Sequence, residues 1–458
     1  MSLPIPGRLR AALVLTAILP LLGGCTSWQR VGENPSASPE QQLTQLFNPA
    51  AMYTRLGRFV SPSQIFYVGS AAFVPGRNDS TLAVIGLSLT NREFAFQRDG
   101  NGYAARYRVE YQLDRAGQPA ILFARNETIR VAGFQETLRT DESILLQQEV
   151  LLAPGEYTLT VRVRDAGNTQ VGTATQKLQV PHFTPGSVTA PILAYQVRGR
   201  GSRNDSLPIV LNSRGSLAYG GDTLLVYLEG VGFKQPTTMP LEVRDERDSV
   251  IYRANIGFTG QREVESQAIR IAPDSAPLGQ LEIRIGTGPT AQRNSALVSF
   301  SQNWVVTNFD DLLSLLRYFG QDNRLNAMRK AKAGDRAELW REFYKATDPN
   351  TQTPENEALD RYFGLLSLAN QRFIGEGVSG WRTDRGEVFI ALGEPDEILD
   401  QGTAQQGRYI RWTYNDLRLL VVFQDVTGFG RFRLTPQSRS DFDRVRGRIQ
   451  SQQAPTGN

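Results

Sequence analysis

The amino-acid sequence predicts a multidomain, mainly β protein, in which two tandem immunoglobulin-like or fibronectin-like β-sandwiches precede a C-terminal α+β domain. Three observations support this prediction. Apolar and polar residues alternate through two long regions, as in strands with one buried and one solvated face. The second region weakly repeats the pattern of the first, and near residue 308 the apolar period becomes helical before strands return. A length of 458 residues suits about two to four domains.

The N-terminal segment has the features of an export signal. Within residues 1–24 a short basic stretch precedes an apolar run over 11–22, and two glycines precede Cys25, the only cysteine of the chain. This layout is typical of secretory signal peptides. Its end resembles the lipobox of bacterial lipoproteins, which implies cleavage before Cys25 and attachment of acyl chains such as palmitate. In enterobacterial lipoproteins an Asp after the cysteine signals retention in the inner membrane, so Thr26 implies the outer membrane.

Two other interpretations of this segment remain open. As a transmembrane anchor it is short, because a bilayer needs roughly 20 apolar residues, and Pro20 interrupts the run. As an ordinary secretory signal it would carry Cys25 by coincidence. We expect an outer-membrane lipid anchor that faces the periplasm, with the bilayer as a partner through acylated Cys25.

Residues 25–57 are expected to hold the lipidated cysteine, a polar tether and two short helices. The composition just after Cys25 is rich in Ser, Pro, Gly and Asn, as in flexible linkers. Ser38-Pro39 and Asn48-Pro49 each place a capping residue before a proline, which is the usual start of a helix. We expect these helices to pack on the following domain.

Residues 58–183 predict the first sandwich. In 107–114 the apolar residues Tyr107, Val109, Tyr111 and Leu113 alternate with polar ones, and 153–164 shows the same alternation. Gly, Asp and Asn turns recur about every ten residues. Short alternating strands between such turns are typical of β-sandwiches.

Residues 190–300 predict a second sandwich of similar design, joined to the first near 181–186. The strand, charged turn and strand over 241–252 parallel those over 111–122, and 276–285 parallels 153–163. The repeat indicates architecture and carries no information about a ligand.

A separate α+β domain is predicted over 308–435. Asn308 caps a helix, and Thr353-Pro354-Glu355 is expected to start a long helix that ends near Phe373. After Gly375 the apolar pattern predicts three strands. The first contains Val388, Ile390 and Leu392, the second contains Ile410, Trp412 and Tyr414, and the third covers 417–423. Residues 436–458 are predicted to be a polar C-terminal tail.

The one recognisable motif in this region is the segment Gly380-Trp381-Arg382-Thr383-Asp384. Together with its continuation to Ile398 it resembles the signature of the GWxTD domain family, and the resemblance extends over about 308–435. It departs at Glu394, where the family often has proline. The family occurs in envelope proteins of diderm bacteria, often lipoproteins, and implies no established activity. Over about 50 residues this region also resembles, more distantly, the small lipoprotein subunit of the outer-membrane β-barrel assembly machine.

The motif and the turn after it form a candidate interaction loop. Glycine, proline and acidic residues suit tight turns, and Trp381 suits a large anchor for the loop. We expect the cluster to hold helices onto the sheet, and a role as a binding surface stays open. Its candidate residues are Trp381, Thr383, Asp384, Gly393, Pro395 and Asp396.

Composition excludes several classes of function. With Cys25 lipidated, neither a disulfide nor a Cys nucleophile nor a Cys/His zinc site is available. His182 is the single histidine and lies in a Pro-rich linker, which argues against Ser-His-Asp catalysis. A net charge of +4, with interspersed basic residues, argues against nucleic-acid binding. We expect no cofactor and no metal.

Two functional hypotheses follow. The favoured one is a non-catalytic interaction or assembly scaffold of the envelope, binding unidentified envelope proteins, with the arginines after residue 430 either solvated or touching anionic lipid. The alternative is a module that binds glycan or peptidoglycan and cleaves it through a carboxylate pair. The candidate carboxylates are Asp384, Glu387, Glu394, Asp396, Glu397 and Asp425.

Overall fold

Two β-sandwiches and an α+β domain follow one another along the chain, as the sequence predicts. A computed structural model describes residues 49–453, except 140, 141, 143, 222, 274, 275, 302, 303, 354, 402–406, 426 and 427. The signal segment, Cys25, the tether and the first of the two short helices lie outside these residues. The second helix, α1 (Pro49–Arg55), forms as predicted and buries Met52 and Tyr53. None of the described helices has the length and apolar character needed to cross a membrane.

The first sandwich contains two antiparallel sheets, with strand orders β1-β2-β3-β7 and β4-β5-β8-β9, and β6 pairs with β5. A short helix, α2 (Phe134–Thr137), lies between β6 and β7. The predicted alternation is confirmed in the pairing of β5 with β8, where Val109 lies opposite Val163 and both are completely buried. The strands are β1 (Phe59–Ser61), β2 (Tyr67–Pro75), β3 (Thr81–Leu89), β4 (Gln97–Asp99), β5 (Gly102–Asp114), β6 (Ile121–Val131), β7 (Ile144–Leu152), β8 (Gly155–Asp165) and β9 (Val171–Val180).

The second sandwich repeats this topology, which confirms the internal repeat. Its sheets have the orders β11-β10-β13-β16 and β12-β18-β17-β14-β15. The run β15-β14-β17-β18 corresponds to β6-β5-β8-β9, and β10-β13-β16 corresponds to β2-β3-β7. Its strands are β10 (Ile192–Val197), β11 (Ile209–Leu211), β12 (Ser216–Ala218), β13 (Leu224–Val231), β14 (Thr237–Arg244), β15 (Val250–Phe258), β16 (Val264–Ile271), β17 (Gly279–Ile285) and β18 (Gln292–Ser299).

The two sandwiches pack against each other through the sheets that contain β3 and β13. Val74 and Val84 of the first meet Ile192, Leu225 and Tyr227 of the second in one apolar cluster. Every residue of β13 is buried. The alternation predicted for 107–114 and 153–164 does not extend to these strands, because their second face contacts the neighbouring domain. A strand buried on both faces loses the period-2 signal and shows a continuous apolar run.

A buried ion pair of the second sandwich lies at this contact. The Nε and Nη2 atoms of Arg200 donate to the two carboxylate oxygens of Glu229 at 2.8 and 2.9 Å, and Nη2 also donates to the backbone oxygen of Pro75 in the first sandwich. The side chains of Arg200 and Glu229 are 1% and 0% exposed. Buried charges of this kind demand complete hydrogen bonding, so they fix how the two domains meet.

The α+β domain has six helices and a sheet of order β19-β20-β21-β22 among the described residues. Its aromatic core begins before residue 308, since Phe300 and Trp304 lie in it. Trp304 stacks on Phe363 with 3.8 Å between ring centroids and donates its indole N–H to Asp360. Its elements are α3 (Phe309–Leu315), α4 (Asp322–Lys330), α5 (Arg336–Thr347), α6 (Glu357–Arg372), α7 (Asp384–Leu392), β19 (Glu397–Gln401), β20 (Arg408–Tyr414), β21 (Leu419–Asp425), β22 (Phe432–Leu434) and α8 (Pro436–Gln453).

Two predictions in this domain need correction. The strand expected through Val388 is instead the helix α7, which is apolar on most sides because it packs into the core, and such a segment shows no clear period. The long helix α6 begins at Glu357 with Asn356 as its cap, and the Asn356 side chain accepts from the backbone N–H of Leu359. Thr353 lies earlier, in a turn, where its hydroxyl donates to the backbone oxygen of Asn350.

The predicted polar tail after residue 435 is the third correction. Residues 436–453 form α8, which packs on β21 and completely buries Phe442 in the aromatic core. Thr435 followed by Pro436 is the cap-and-proline signal of a helix start. The segment was predicted to be a polar tail because it contains few apolar residues among many charged ones.

Candidate functional site

The motif begins with a close contact between two backbones. Gly380 lies against the C-terminal half of α6, where a Cβ on residue 380 would be 2.3 Å from the backbone oxygen of Ala369. Its N–H donates to the Asn370 side chain at 3.1 Å. Only glycine fits such an approach. The first residue of the motif therefore fixes the 3₁₀ turn 380–382 onto α6.

Thr383 starts α7. Its hydroxyl accepts from the backbone N–H of Gly386 at 2.9 Å and donates to the backbone oxygen of Gly380 at 2.7 Å. The first of these bonds is the usual N-cap interaction. A Cβ on residue 386 would lie 2.1 Å from the Gly380 oxygen, so the turn and the helix are in tight contact. Thr383 is completely buried.

Asp384 connects α7 to the end of the chain. One carboxylate oxygen accepts from the backbone N–H of Leu434 at 2.8 Å, and the other accepts from Arg433 at 3.0 Å. Arg439 of α8 lies 3.6 Å from the first oxygen. The last residue of the motif thus holds β22 and α8.

Glu387, one turn further along α7, extends the same network. Its two oxygens accept from Arg439 at 2.8 Å and from Arg446 at 2.9 Å. Burial opposes the charge of Arg439, but the bond to Glu387 raises the pKa of that guanidinium. These arginines, which we considered as a lipid contact, hold α8 on the domain instead.

Trp381 is completely buried, as the anchor interpretation expects, and its side chain offers no surface to a partner. Tyr318 meets its ring edge-on, with 6.4 Å between centroids. Two guanidinium groups lie against the indole, with Cζ of Arg317 at 4.8 Å and Cζ of Arg382 at 5.0 Å from the ring centroid. Burial, and then the charge of Glu387, raises the pKa of the Tyr318 hydroxyl.

Two donors at this turn have no acceptor among the described residues. Both Nε1 of Trp381 and Nε of Arg382 are buried there without a hydrogen-bond partner. Such groups are uncommon in native proteins and call for an explanation. Sequence reasoning singled out Trp381 but missed Arg317 and Arg382. Arg382 is the variable position of the motif, and nothing local marks Arg317, which lies far away in sequence.

The remaining candidate residues form a separate turn between α7 and β19. Gly393 ends α7 with a φ of 87°, and its backbone oxygen accepts from the Tyr414 hydroxyl at 3.1 Å. Pro395 is buried, whereas Asp396 is exposed and accepts from the backbone N–H of Asn415 at 2.6 Å. This turn connects the helix to the sheet.

The other candidate carboxylates also have local roles. Asp425 accepts from the backbone N–H groups of Gly428 and Gly430, and Glu394 pairs with Arg372. Glu397 is exposed on β19. The clefts of the described surface include one of about 420 Å³ over β5, β6 and β8 and one of about 490 Å³ between β21 and α8. Their linings contain one carboxylate each, Glu110 and Asp441 respectively, so neither brings together the pair that hydrolysis of a glycan needs.

No group of His, Cys, Asp and Glu side chains within the described ranges is placed to hold a metal ion. His182, between the sandwiches, is therefore not part of such a group.

Comparisons with known proteins bear on the C-terminal region. Residues 285–427 match the family model of the GWxTD domain, and the match includes β18 of the second sandwich. No curated protein is significantly similar to the chain. A bacterial adhesin from Mobiluncus mulieris with intramolecular cross-links is 10% identical over 47% of this chain and 79% of its own, with a TM-score of 0.13. The calcium-binding domain CBD12 of CALX1.1 is 11% identical over 59% and 92%, also with a TM-score of 0.13.

Those structural scores are too low to support an argument about fold or function. The family match stands on the sequence, and it coincides with the motif residues whose packing is described above. The C-terminal part of this chain is a GWxTD domain.

Proposed function

We propose that this protein is a non-catalytic scaffold of the bacterial envelope, anchored in the outer membrane through acylated Cys25 and facing the periplasm. It would bind other envelope proteins at a fixed distance from the bilayer. Anchoring raises the local concentration of weakly binding partners, which favours assembly without any chemical step.

The contacts between the domains are the observation that carries this proposal. The two sandwiches share an apolar cluster, and Arg200 of the second, which pairs there with Glu229, donates to the backbone oxygen of Pro75 in the first. Arg139 of the first sandwich also reaches Glu355 of the GWxTD domain, with 3.6 Å between the charged atoms. A body with such contacts holds its outer surfaces at defined positions, as a scaffold requires.

The arrangement of charged groups in the GWxTD domain also favours a non-catalytic role. Asp384 and Glu387 are neutralised by arginines, and their oxygens accept hydrogen bonds that hold β22 and α8. An acid/base pair needs carboxylates that face a substrate. These two face the protein instead.

We propose the free edge of β19 as a contact for an extended segment of a partner protein. Within the described part of the sheet β19 pairs with β20 alone, so its other edge keeps unpaired backbone groups. Ile398 and Leu399 are 58% and 37% exposed there. An edge with apolar side chains suits the addition of a strand, in which backbone bonds provide affinity and side chains provide selectivity.

A photo-crosslinking residue at position 398, in intact envelopes, tests this contact. We expect a discrete adduct with an envelope protein, and no such adduct from Thr175, an exposed position on β9 of the first sandwich. Leu399→Lys should weaken the adduct while the protein stays folded. Equal labelling from both positions, or none from position 398, would contradict the proposed contact.

The anchor has its own test. Cys25→Ala should abolish incorporation of labelled palmitate and release the protein from the membrane fraction. If the variant still fractionates with outer membranes, the proposal of a lipid anchor fails, whatever the result at β19.

A further inference from the structure

The Trp381 turn contains two buried donors that the described chain leaves without an acceptor. They are Nε1 of Trp381 and Nε of Arg382, which belong to consecutive residues. Trp381 is completely buried, and Arg382 is half-buried. Neither an indole N–H nor a guanidinium can accept a hydrogen bond, so rotation of the side chains cannot satisfy the two groups with each other.

Arg317 adds a third cationic donor beside the same indole. Its Cζ lies 4.8 Å from the Trp381 ring centroid, and that of Arg382 lies 5.0 Å from it, so the two Cζ atoms are within about 10 Å of each other. Arg317 is exposed and donates to Ser314. Neither arginine has a carboxylate within ion-pair distance in the described chain.

The neighbouring arginines differ from these two. Arg385 pairs with Glu376 and Arg433 pairs with Asp384. Glu387 accepts from Arg439 and Arg446, as described above. The carboxylates near the turn are therefore occupied, and within the described residues the guanidinium groups of Arg317 and Arg382 have no carboxylate partner.

We propose that the turn formed by Trp381 and Arg382, together with Arg317, is a binding site for a phosphate group. Both unsatisfied groups are donors and one of them is cationic, Arg317 adds a second cation beside them, and guanidinium groups match phosphate oxygens in geometry and charge. A tetrahedral group presents oxygens in several directions, so one phosphate can accept from the indole and from both arginines. The exposed Arg317 provides the approach from solvent. This inference does not depend on the proposed scaffold function.

A buried water molecule is the simplest competitor, because water can accept from two donors. It would satisfy the indole and Arg382 without using Arg317. The two explanations differ in their dependence on added phosphate and on the second arginine, and both dependences can be measured.

The test uses the full-length chain in a maltoside detergent, which contains no phosphate, with 5-fluorotryptophan in place of its five tryptophans. Replacing each of the other tryptophans by Phe assigns the ¹⁹F signal of Trp381. We expect inorganic phosphate to shift that signal saturably, and sodium chloride of equal ionic strength to leave it unchanged. Mixed micelles with phosphatidylglycerol form a second arm. A shift with free phosphate identifies a soluble phosphate as a sufficient ligand, and a shift with the lipid alone identifies a phospholipid head group.

Variants decide whether the arginines form the site. Arg382→Gln and Arg317→Gln should each weaken the phosphate-dependent shift by roughly tenfold, as expected for loss of a charge-assisted bond. Arg270→Gln removes one charge from an exposed position of the second sandwich and should bind phosphate as the parent does. Circular dichroism checks folding in each case. No shift in either arm, or a shift that both site variants retain in full, would overturn the proposal and favour bound water.

Discussion

The carboxylate of Asp384 accepts a hydrogen bond from the backbone N–H of Leu434, a residue 50 positions later in the chain, at 2.8 Å. The last residue of the GWxTD motif thereby fixes β22 beside α7, and Arg433 and Arg439 strengthen the contact. The motif describes a junction of four elements, namely α6, α7, β22 and α8. The side chains and backbone groups of the motif join these elements to one another, so they are not available to bind a partner protein.

Removal of that carboxylate should loosen the C-terminal end of the domain. We expect Asp384→Ala to lower the free energy of unfolding by about 2–4 kcal/mol, because a backbone donor and charged partners lose a buried acceptor. Asp443→Ala is the matched control, since that carboxylate is 45% exposed and pairs with Arg446 of its own helix. It should cost under about 1 kcal/mol. Urea unfolding measures both, and equal losses would contradict the role assigned to Asp384.

A single methyl group at the start of the motif should be equally informative. Gly380→Ala places a Cβ 2.3 Å from the backbone oxygen of Ala369 and should cost about 1–3 kcal/mol or more. Gly364→Ala lies within α6 with nothing within 4 Å of the new Cβ. It should raise stability by up to about 1 kcal/mol, because alanine favours the helix. Thermal unfolding distinguishes the two, and a neutral Gly380→Ala would show that the close contact is not rigid.

The buried pair of Arg200 and Glu229 in the second sandwich predicts a strong energetic coupling between these two residues. Glu229→Gln leaves the cation of Arg200 without a counter-charge and should cost about 3–5 kcal/mol. Adding Arg200→Met should recover part of that loss, so the double variant loses less than the sum of the single ones. The exposed pair Arg253–Glu242 is the control, and Arg253→Met there should cost under about 1 kcal/mol. Additive losses at Arg200 and Glu229 would mean that the two charges do not stabilise each other.

The loop after β15 predicts a dependence of stability on pH. Burial opposes ionisation of Glu265, but backbone N–H groups of Thr259, Gly260 and Gln261 donate to it and together lower its pKa below the ordinary value of 4.5. A lowered pKa in the folded state contributes stability above the ordinary value, and this contribution is lost as the pH falls through the folded pKa.

Glu265→Gln should therefore be less stable than the parent at pH 7, and the difference should shrink as the pH falls below 4.5. Urea unfolding from pH 7 to pH 3 measures it. A difference that stays constant over this range would show that the backbone bonds do not depend on the charge of Glu265.

Local patterns in the sequence were sufficient to predict much of the fold. The alternation of apolar and polar residues around Val109 and Val163 predicts strands, because successive side chains of a strand point to opposite faces of the sheet. Asn308 caps α3 as predicted, with its side chain accepting from the backbone N–H groups of Asp310 and Asp311. The weak repeat between the two sandwiches also predicted their common topology. Each of these features depends on neighbours in the sequence or on a period that the local backbone imposes.

By itself, then, the sequence determined two sandwiches, a GWxTD domain and a motif rich in turn residues. Only the tertiary structure decided that α7 is a helix, that α8 packs on the sheet, and that Trp381 is buried between its neighbours. It also showed that Asp384 and Glu387 bind arginines from the end of the chain, and that Arg317 lies beside Trp381. The physical reason is that burial on all sides erases periodicity, and that ion pairs between distant segments leave no local pattern.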